Sequence, residues 1–378
     1  MLVALTKQHE VFMLTPRITE AALKQLRKTT VFYCPQCQEP LQLKIGAIKI
    51  PHFAHQKNSS CDTNFSEGES YEHILGKQQL YTQLSQLGLE VKLEAYLPQL
   101  RQRPDLLVSK NNKNYALEFQ CSPISPEMLQ MRNDGYRSKQ ILPIWLVKTP
   151  KLKLNSSGIA KISLNEQHKQ FFETVKEQTY LISYDSESKK FYYLGHLLYV
   201  QGNIYIANIK TLSLEKQQFP FYVPKPIPIH EFSQMLSFYH RHCKQFFNTK
   251  LFYSRQGVHD LFLRALYELR LSREEIPYFI GIPIKGRESI SLFSAEWQLA
   301  LFYFLQENDL SMKNVNDSAI HYYLKWVKIE ETVKTFDAVK RYIGLMQKLN
   351  IQSIHCSYNK TELIHLLYGE YIAILRKN

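Results

Sequence analysis

The stretch RPDLLVSKNNKNYALEFQCS, residues 103–122, decides the fold. Two apolar runs, each carrying one acid (Asp105 and Glu118), flank a polar knot, Lys110-Asn111-Asn112-Lys113. Asn tolerates the positive φ that a type I′ turn demands at both central positions, so the pattern predicts a two-residue hairpin loop at Asn111 and Asn112. In that register Lys110 faces Lys113 and Asp105 faces Glu118. Directly opposed Cβ atoms lie roughly 4.5–5.5 Å apart, and like charges there repel. Gln120, two residues beyond Glu118, projects from the same face. Two carboxylates crowded among Leu106, Leu107, Val108, Leu117 and Phe119 either share a proton or bind a cation, and a hard divalent ion suits oxygen ligands. The alternative is a pair of strand-edge acids facing water, although acids are poor strand residues. A loop of odd length would shift the pairing.

Outward from this hairpin, residues 66–87 read as a helix. Ser66 or Ser70 caps it, Glu67 and Glu69 suit its positive end, and Gly88 stops it. LEVKLEAYL supplies a strand before the hairpin, residues 125–140 a helix opened by Ser125-Pro126 after it, and ILPIWLV (141–147) a fully apolar strand. The order is α-β-β-β-α-β. On the first helix Glu69, His73 and Lys77 are spaced by four and share a face. They either complete a metal sphere and steer phosphate, or form an ordinary salt-bridge ladder in water. Arg132 and Tyr136 share a face of the second helix in the same way. Further on, EQHKQFFETVKEQ reads as helical. Residues 179–223 read as strand pairs turning at DSESKK and QGN. VPKPIPI (223–229) breaks regular structure, and residues 230–378 are mostly helical by pattern. Within them, FYHRHCKQFF (238–247) interleaves aromatic and basic residues. It suits a single-stranded nucleic acid track, or an amphipathic helix with Phe238, Phe246 and Phe247 inside.

Near the N-terminus Cys34-x2-Cys37, His52-x2-His55 and Cys61 offer five candidates for four places around one tetrahedral zinc ion. LQLKIGAIKI, turning at Gly46, would fold PHFAH back onto the Cys-x2-Cys knuckle. A small region with little core of its own gains folding energy from such an ion. A redox role for the knuckle lacks the expected βαβ setting.

The 378 residues carry a formal net charge of +13, with +5 in residues 1–150 and +8 in the rest. A folded basic surface of this kind favours a polyanion, nucleic acid first and an anionic membrane face second. The N-terminus lacks the apolar core of a signal peptide. No run approaches the roughly 18 apolar residues of a spanning helix. Six cysteines do not make a disulfide scaffold, so a soluble, cytoplasmic protein is expected.

The pattern Pro104-Asp105 with Glu118-x-Gln120 resembles the PD-(D/E)xK nuclease superfamily. RPDLLV, ALEFQCSPIS, RNDGYRSKQILPIWLV and the upstream CPQC, PHFAH and Glu/His/Lys motifs are similar to the competence protein CoiA family over about residues 30–150. The resemblance implies a restriction-endonuclease-like α/β core and a role in natural transformation. Asp105 and Glu118 match the superfamily's metal carboxylates, here for Mg²⁺ or Mn²⁺, with Glu69 and His73 as helpers. Gln120 stands where most members have Lys, and an amide can only hydrogen-bond the attacking water. Lys77, Arg103, Arg132 and Tyr136 would grip the DNA backbone.

The expected organisation is a zinc-binding region (1–62), a nuclease domain with a β extension (63–229) and an all-helical domain (230–378). The expected function is metal-dependent hydrolysis of phosphodiesters in single-stranded or branched DNA during recombination, beside a RecA-type recombinase. A non-catalytic DNA-binding adaptor with a degenerate site is the alternative, and a membrane-peripheral protein of the uptake machinery is a third.

Overall fold

Two sheets organise the chain in the computed structural model, which describes residues 1–46, 50–56, 61, 69–151, 157–175 and 178–372. The first is built from β1 (Val3–Leu5), β2 (Val11–Met13), β3 (Phe32–Tyr33), β4 (Pro40–Lys44) and β5 (His52–His55), in the antiparallel order β2-β1-β3-β4-β5. Helix α1 (Glu20–Thr29), capped by Thr19, crosses between β2 and β3. In β4 the alternation of PLQLK puts Leu41 and Leu43 inside and leaves Pro40, Gln42 and Lys44 in water, as a half-buried strand requires. β4 and β5 form the expected hairpin, with Lys44 opposite His52. Its turn residues 47–49 lie outside the described residues.

The second sheet starts with the expected α-β-β-β-α-β order: α2 (Tyr71–Gln86), β6 (Glu90–Leu93), β7 (Leu106–Lys110), β8 (Lys113–Gln120), α3 (Pro126–Ser138) and β9 (Ile141–Lys148). Ser70 caps α2 by accepting from the His73 N–H at 3.2 Å. Ser66 and Glu67, the other residues weighed for that helix start, lie outside the described residues. Gly88 follows α2 at φ 73°. Asn111 and Asn112 adopt φ 50° and 57°, the two left-handed positions of the expected turn. Lys110 accordingly pairs with Lys113 and Leu106 with Leu117. β8 and β9 run parallel through α3, the arrangement that buries both faces of their apolar runs.

The sheet continues beyond this core. β10 (Gly158–Ser163), α4 (Glu166–Lys169), β11 (Glu173–Val175), β12 (Gln178–Asp185), β13 (Lys190–Gln201) and β14 (Ile204–Ser213) follow. The strand order is β10-β14-β13-β12-β9-β8-β7-β6, with β11 on β12. β12 joins β9 in parallel at Ser183 opposite Val147. The helix expected over EQHKQFFETVKEQ is a correction: among its described residues only the single turn of α4 forms. Phe171 is buried after it, and the β-branched Thr174 and Val175 pair with β12 instead, so strand pairing outweighs the helical period.

After the proline-rich 223–228 the chain is helical: α5 (Ile229–Tyr253), α6 (Leu261–Glu268), α7 (Ser294–Glu307), α8 (Asp317–Trp326), α9 (Val333–Lys348) and α10 (Lys360–Ile372). α7 is buried nearly all round. The helices share one apolar core with Leu198, Val200 and Ile206 of β13 and β14. In α5, Cys243 and Phe247 are buried while Phe238 and Phe246 pack partly against the same core, which is the packing reading of FYHRHCKQFF. Among the described residues no helix is long and apolar enough to cross a membrane.

Candidate metal centres

The Cys/His cluster forms around the knuckle between β3 and β4. The Cys34 N–H donates to the Glu39 carbonyl at 2.9 Å and the Gln38 N–H to the Cys34 carbonyl at 3.0 Å, which closes the loop that points both sulfurs one way. β5 carries His55 across the hairpin, and Cys61 completes the group: one ligand atom each from Cys34, Cys37, His55 and Cys61 lies within 4.8 Å of every other. Cys37 Sγ and His55 Nε2 are 3.4 Å apart. A tetrahedral ion with bonds of about 2.3 Å to sulfur and about 2.0 Å to nitrogen requires an edge of about 3.5 Å. His52 stands aside, its Nδ1 2.8 Å from the Ile50 carbonyl, so the four-of-five choice falls on the other four. Burial and the neighbouring thiols push Cys61 up to about 12, and burial raises Cys37. A bound cation reverses that balance, because coordination deprotonates a thiol. Burial and the nearby Arg103 lower His55, keeping its imidazole neutral.

A second group gathers where α2 meets the start of β7. Glu69, His73 and Asp105 bring one ligand atom each within 4.8 Å of one another. Asp105 Oδ2 accepts from the Phe119 N–H at 2.8 Å and lies 3.0 Å from His73 Nε2. His73 Nδ1 is 3.7 Å from Glu69. Behind them Lys77, 1% exposed, contacts Glu69, reaches Glu94 at 2.5 Å and lies 3.7 Å from Asp105. Glu94 adopts φ 49° and accepts from the Leu2 and Val3 N–H groups at 2.9 and 3.2 Å, tying the first sheet to this cluster. Burial alone would lower Lys77, but the carboxylates of Glu69, Glu94 and Asp105 outweigh it and hold the ammonium above its ordinary value. In the same way burial opposes ionisation of Asp105, yet His73 and Lys77 hold it well below the carboxylate range. Three carboxylates stand against two ammonium groups, Lys77 and the Met1 amine that meets Glu69 Oε2 at 2.5 Å, and the residual negative charge favours a cation.

Several expectations need correction here. Glu118 was expected to share a metal with Asp105. Its Oε1 instead receives Arg132 and the Tyr136 hydroxyl, and its Oε2 accepts the Asp105 backbone N–H at 3.4 Å. Burial pushes Glu118 up to about 7 against the pull of Arg132. Glu69 and His73 share ligand reach with Asp105, and Glu118 stands beside Asp105 with partners of its own. Gln120 was expected to orient a water beside them, but its amide donates to the Ser122 carbonyl at 2.7 Å. Lys77 and Tyr136 were expected to grip DNA, yet both are buried, Tyr136 with no exposure at all. Arg132, with its side chain 12% exposed, is turned inward to Glu118 and sits 5.5 Å above the Trp145 ring. Arg103 is half-buried at the rim.

Lys77 as the buried counter-ion and Glu94 as its partner are what the residue pattern missed. The signal for Lys77 was its place on the Glu69–His73 stripe. Glu94 had none, since it follows β6 in a turn.

Gly76 sets how closely α2 meets β8. A Cβ there would lie 2.2 Å from the Phe119 ring, so the ring fills the space a side chain would take, and the Phe119 N–H holds Asp105. Gly76→Ala gains up to about 1 kcal/mol in helix propensity and loses about 1–3 kcal/mol to overpacking. We expect a lower urea midpoint than wild type; an unchanged or higher midpoint would show that Phe119 yields freely.

Residues 69–225 match the model of the competence protein CoiA nuclease-like domain, and residues 16–64 match that of the CoiA N-terminal domain. The competence protein CoiA of Bacillus subtilis (strain 168) is 28% identical over 349 residues, covering 87% of this chain and 88% of that protein. No solved structure matches the chain.

Proposed function

Because this chain belongs to the competence protein CoiA family and carries its nuclease-like domain, we propose that it is a metal-dependent deoxyribonuclease acting on single-stranded or branched DNA intermediates of competence, beside a RecA-type recombinase. The observation that carries the reading is the convergence of Glu69, His73 and Asp105 within 4.8 Å. Two carboxylates and an imidazole beside a net negative cluster fit Mg²⁺ or Mn²⁺. When bound, such an ion offsets charge building on a phosphodiester and lowers the pKa of water. The chain's own residues do the rest. The Phe119 N–H fixes the Asp105 carboxylate. Lys77 keeps Glu69, Glu94 and Asp105 ionised, the cation that Gln120 does not supply. Arg103 at the rim meets the phosphate. The net charge of +13 supports a polyanionic substrate. In the N-terminal region Cys34, Cys37, His55 and Cys61 hold zinc as a structural ion, since four protein ligands leave no open position.

The test is cleavage of labelled single-stranded, duplex and junction DNA with Mg²⁺ or Mn²⁺. Asp105→Ala is expected to lose more than the roughly 10–100-fold that outer-shell changes cost, and Glu118→Gln less. Cleavage unchanged by Asp105→Ala removes the site assignment.

One observation favours a second reading, a DNA-binding adaptor without catalysis: Arg132 and Tyr136 already occupy the Glu118 carboxylate. Absence of metal-dependent cleavage on all three substrates, with DNA affinity retained in Asp105→Ala, selects it.

A further inference from the structure

The motif FYHRHCKQFF turns its aromatic rings toward the core, and its cations face the other way. Ser237, Arg241, Lys244, Asn248 and Phe252 recur every three or four residues along α5 and are all exposed. At that spacing they form one outward stripe, about 22 Å long at a rise of about 1.5 Å per residue. From Phe232 to His259 the chain holds Arg241, Lys244, Lys250 and Arg255 and not one acid. The last turn of α5 stands clear of the core, with Phe252 72% and Tyr253 79% exposed, and the exposed Arg255 follows it. Lys360, opening α10, widens the positive region. Its Nζ lies 4.0 Å over the Tyr278 ring, which stacks on His240 one turn before Lys244.

Within this segment Lys250 is paired, to Asp260 at 2.8 Å and Glu296 at 2.7 Å. Arg241, Lys244, Arg255 and Lys360 have no ion-pair partner among the described residues; Arg241 rests 4.0 Å over the Phe238 ring with its side chain in water. On the neighbouring elements Glu274 is held by Arg273 at 2.5 Å, and Glu231 accepts from Asn208 at 2.8 Å. Glu275, which accepts from the Ser272 N–H, and Glu362, in the first turn of α10, remain. Four unpaired cations against two acids leave this face positive. His240 registers that field: burial, then Lys360 and Lys244, push it down to about 3.

We propose that this face of α5 is a track for single-stranded DNA. Arg241, Lys244, Arg255 and Lys360 meet phosphates, and Phe252 and Tyr253 stack on bases. A basic surface with aromatic platforms holds a single strand whatever its sequence, because every base has a π-face. An anionic membrane fits less well. An interfacial helix presents its apolar side to lipid, and the apolar side of α5, with Met235, Leu236, Tyr239, Cys243 and Phe247, is buried in the core. The track shares no residue with Glu69, His73 and Asp105. It rests on the reading of DNA as the substrate, and it gives the helical domain the task of holding the strand that the carboxylate cluster cuts.

Fluorescence anisotropy of a labelled (dT)20 strand with the full chain, without added Mg²⁺ or Mn²⁺, reads this face apart from cleavage. The double variant Arg241→Glu with Lys244→Glu, at two exposed positions, binds about tenfold or more weakly. Its slope of log affinity against log salt is shallower by about 1.4, at about 0.7 per lost phosphate contact. Phe252→Ala also loses about tenfold, with the salt slope unchanged, since a base stack releases no counterions. No binding of the strand by wild type overturns the proposal. So do wild-type affinity and slope in the folded double variant, and wild-type affinity in Phe252→Ala. Strand affinity kept while binding to phosphatidylserine vesicles is lost in the double variant assigns the face to lipid instead and overturns it as well. Cleavage with metal present reads the other site. A chain that cuts the strand, but whose double variant binds it as wild type does, refutes the track alone; a strand held through α5 and never cut refutes the nuclease alone.

Discussion

Lys77→Met will lower the stability of the chain by about 3–5 kcal/mol, the cost of breaking a buried ion pair from one side. Lys77 is 1% exposed and stands against Glu69, Glu94 and Asp105. Removing its ammonium leaves three carboxylates close together, with only the Met1 amine at Glu69 and His73 at Asp105 beside them. Met keeps most of the volume, so the loss reports charge rather than a cavity. The pH dependence has a definite sign. In wild type the folded pKa values of Glu94 and Asp105 lie below the ordinary 4.5 and 3.8. Their contribution is therefore complete above those values and lost as pH falls through the lowered folded ones. In Lys77→Met the share of that contribution due to Lys77 is lost, while His73 still faces Asp105 at 3.0 Å. The gap between the two proteins is widest at neutral pH and closes as the medium is acidified through the carboxylate range. Adding Glu94→Gln to Lys77→Met should recover part of the loss, which a double-mutant cycle measures. Urea unfolding at several pH values checks all three statements. A variant as stable as wild type at pH 7 would mean that water reaches the cluster.

On the proposed zinc assignment, stripping the metal from the Cys34–Cys37–His55–Cys61 group will unfold the region built on β3, β4 and β5. Zinc affinities of about 10–16 kcal/mol in small zinc-finger peptides show how far such an ion carries a local fold. The pieces here are short: β3 has two residues and β5 four. Chelation or Cys37→Ser should expose this region to protease while β6–β9 stay protected, with one zinc released per chain on thiol modification. The two sheets meet through the Leu2 and Val3 N–H groups on Glu94, so DNA cleavage should weaken as well. Folded protein purified without added zinc and containing none would sink this assignment.

The hairpin register was legible because its determinants are local. Two adjacent Asn residues set the turn, and the turn sets every pair after it. The Cys/His cluster was legible from spacing, down to the ambiguity between His52 and His55, which only the path of β5 resolves. The stripe Glu69–His73–Lys77 was legible as a shared helix face, but not as an inward one, because charged stripes ordinarily face water. Its burial depends on Phe119 meeting Gly76 and on Glu94, whose left-handed turn follows no period. Opposition of Asp105 and Glu118 across the hairpin implied a shared ion. Arg132 and Tyr136, reaching over from α3, supply a competing partner that strand pairing alone does not reveal.

A fragment ending after Thr149 is left with a bare rim where β12 had been. β9 is bonded on one side to β8 and on the other to β12, and its Trp145, Leu146 and Val147 are buried. Such an unprotected apolar strand recruits other chains. The part of the chain bearing the acidic cluster and the part bearing the long β12–β14 meander are therefore halves of one continuous sheet, and dissecting the molecule there leaves an edge that self-associates.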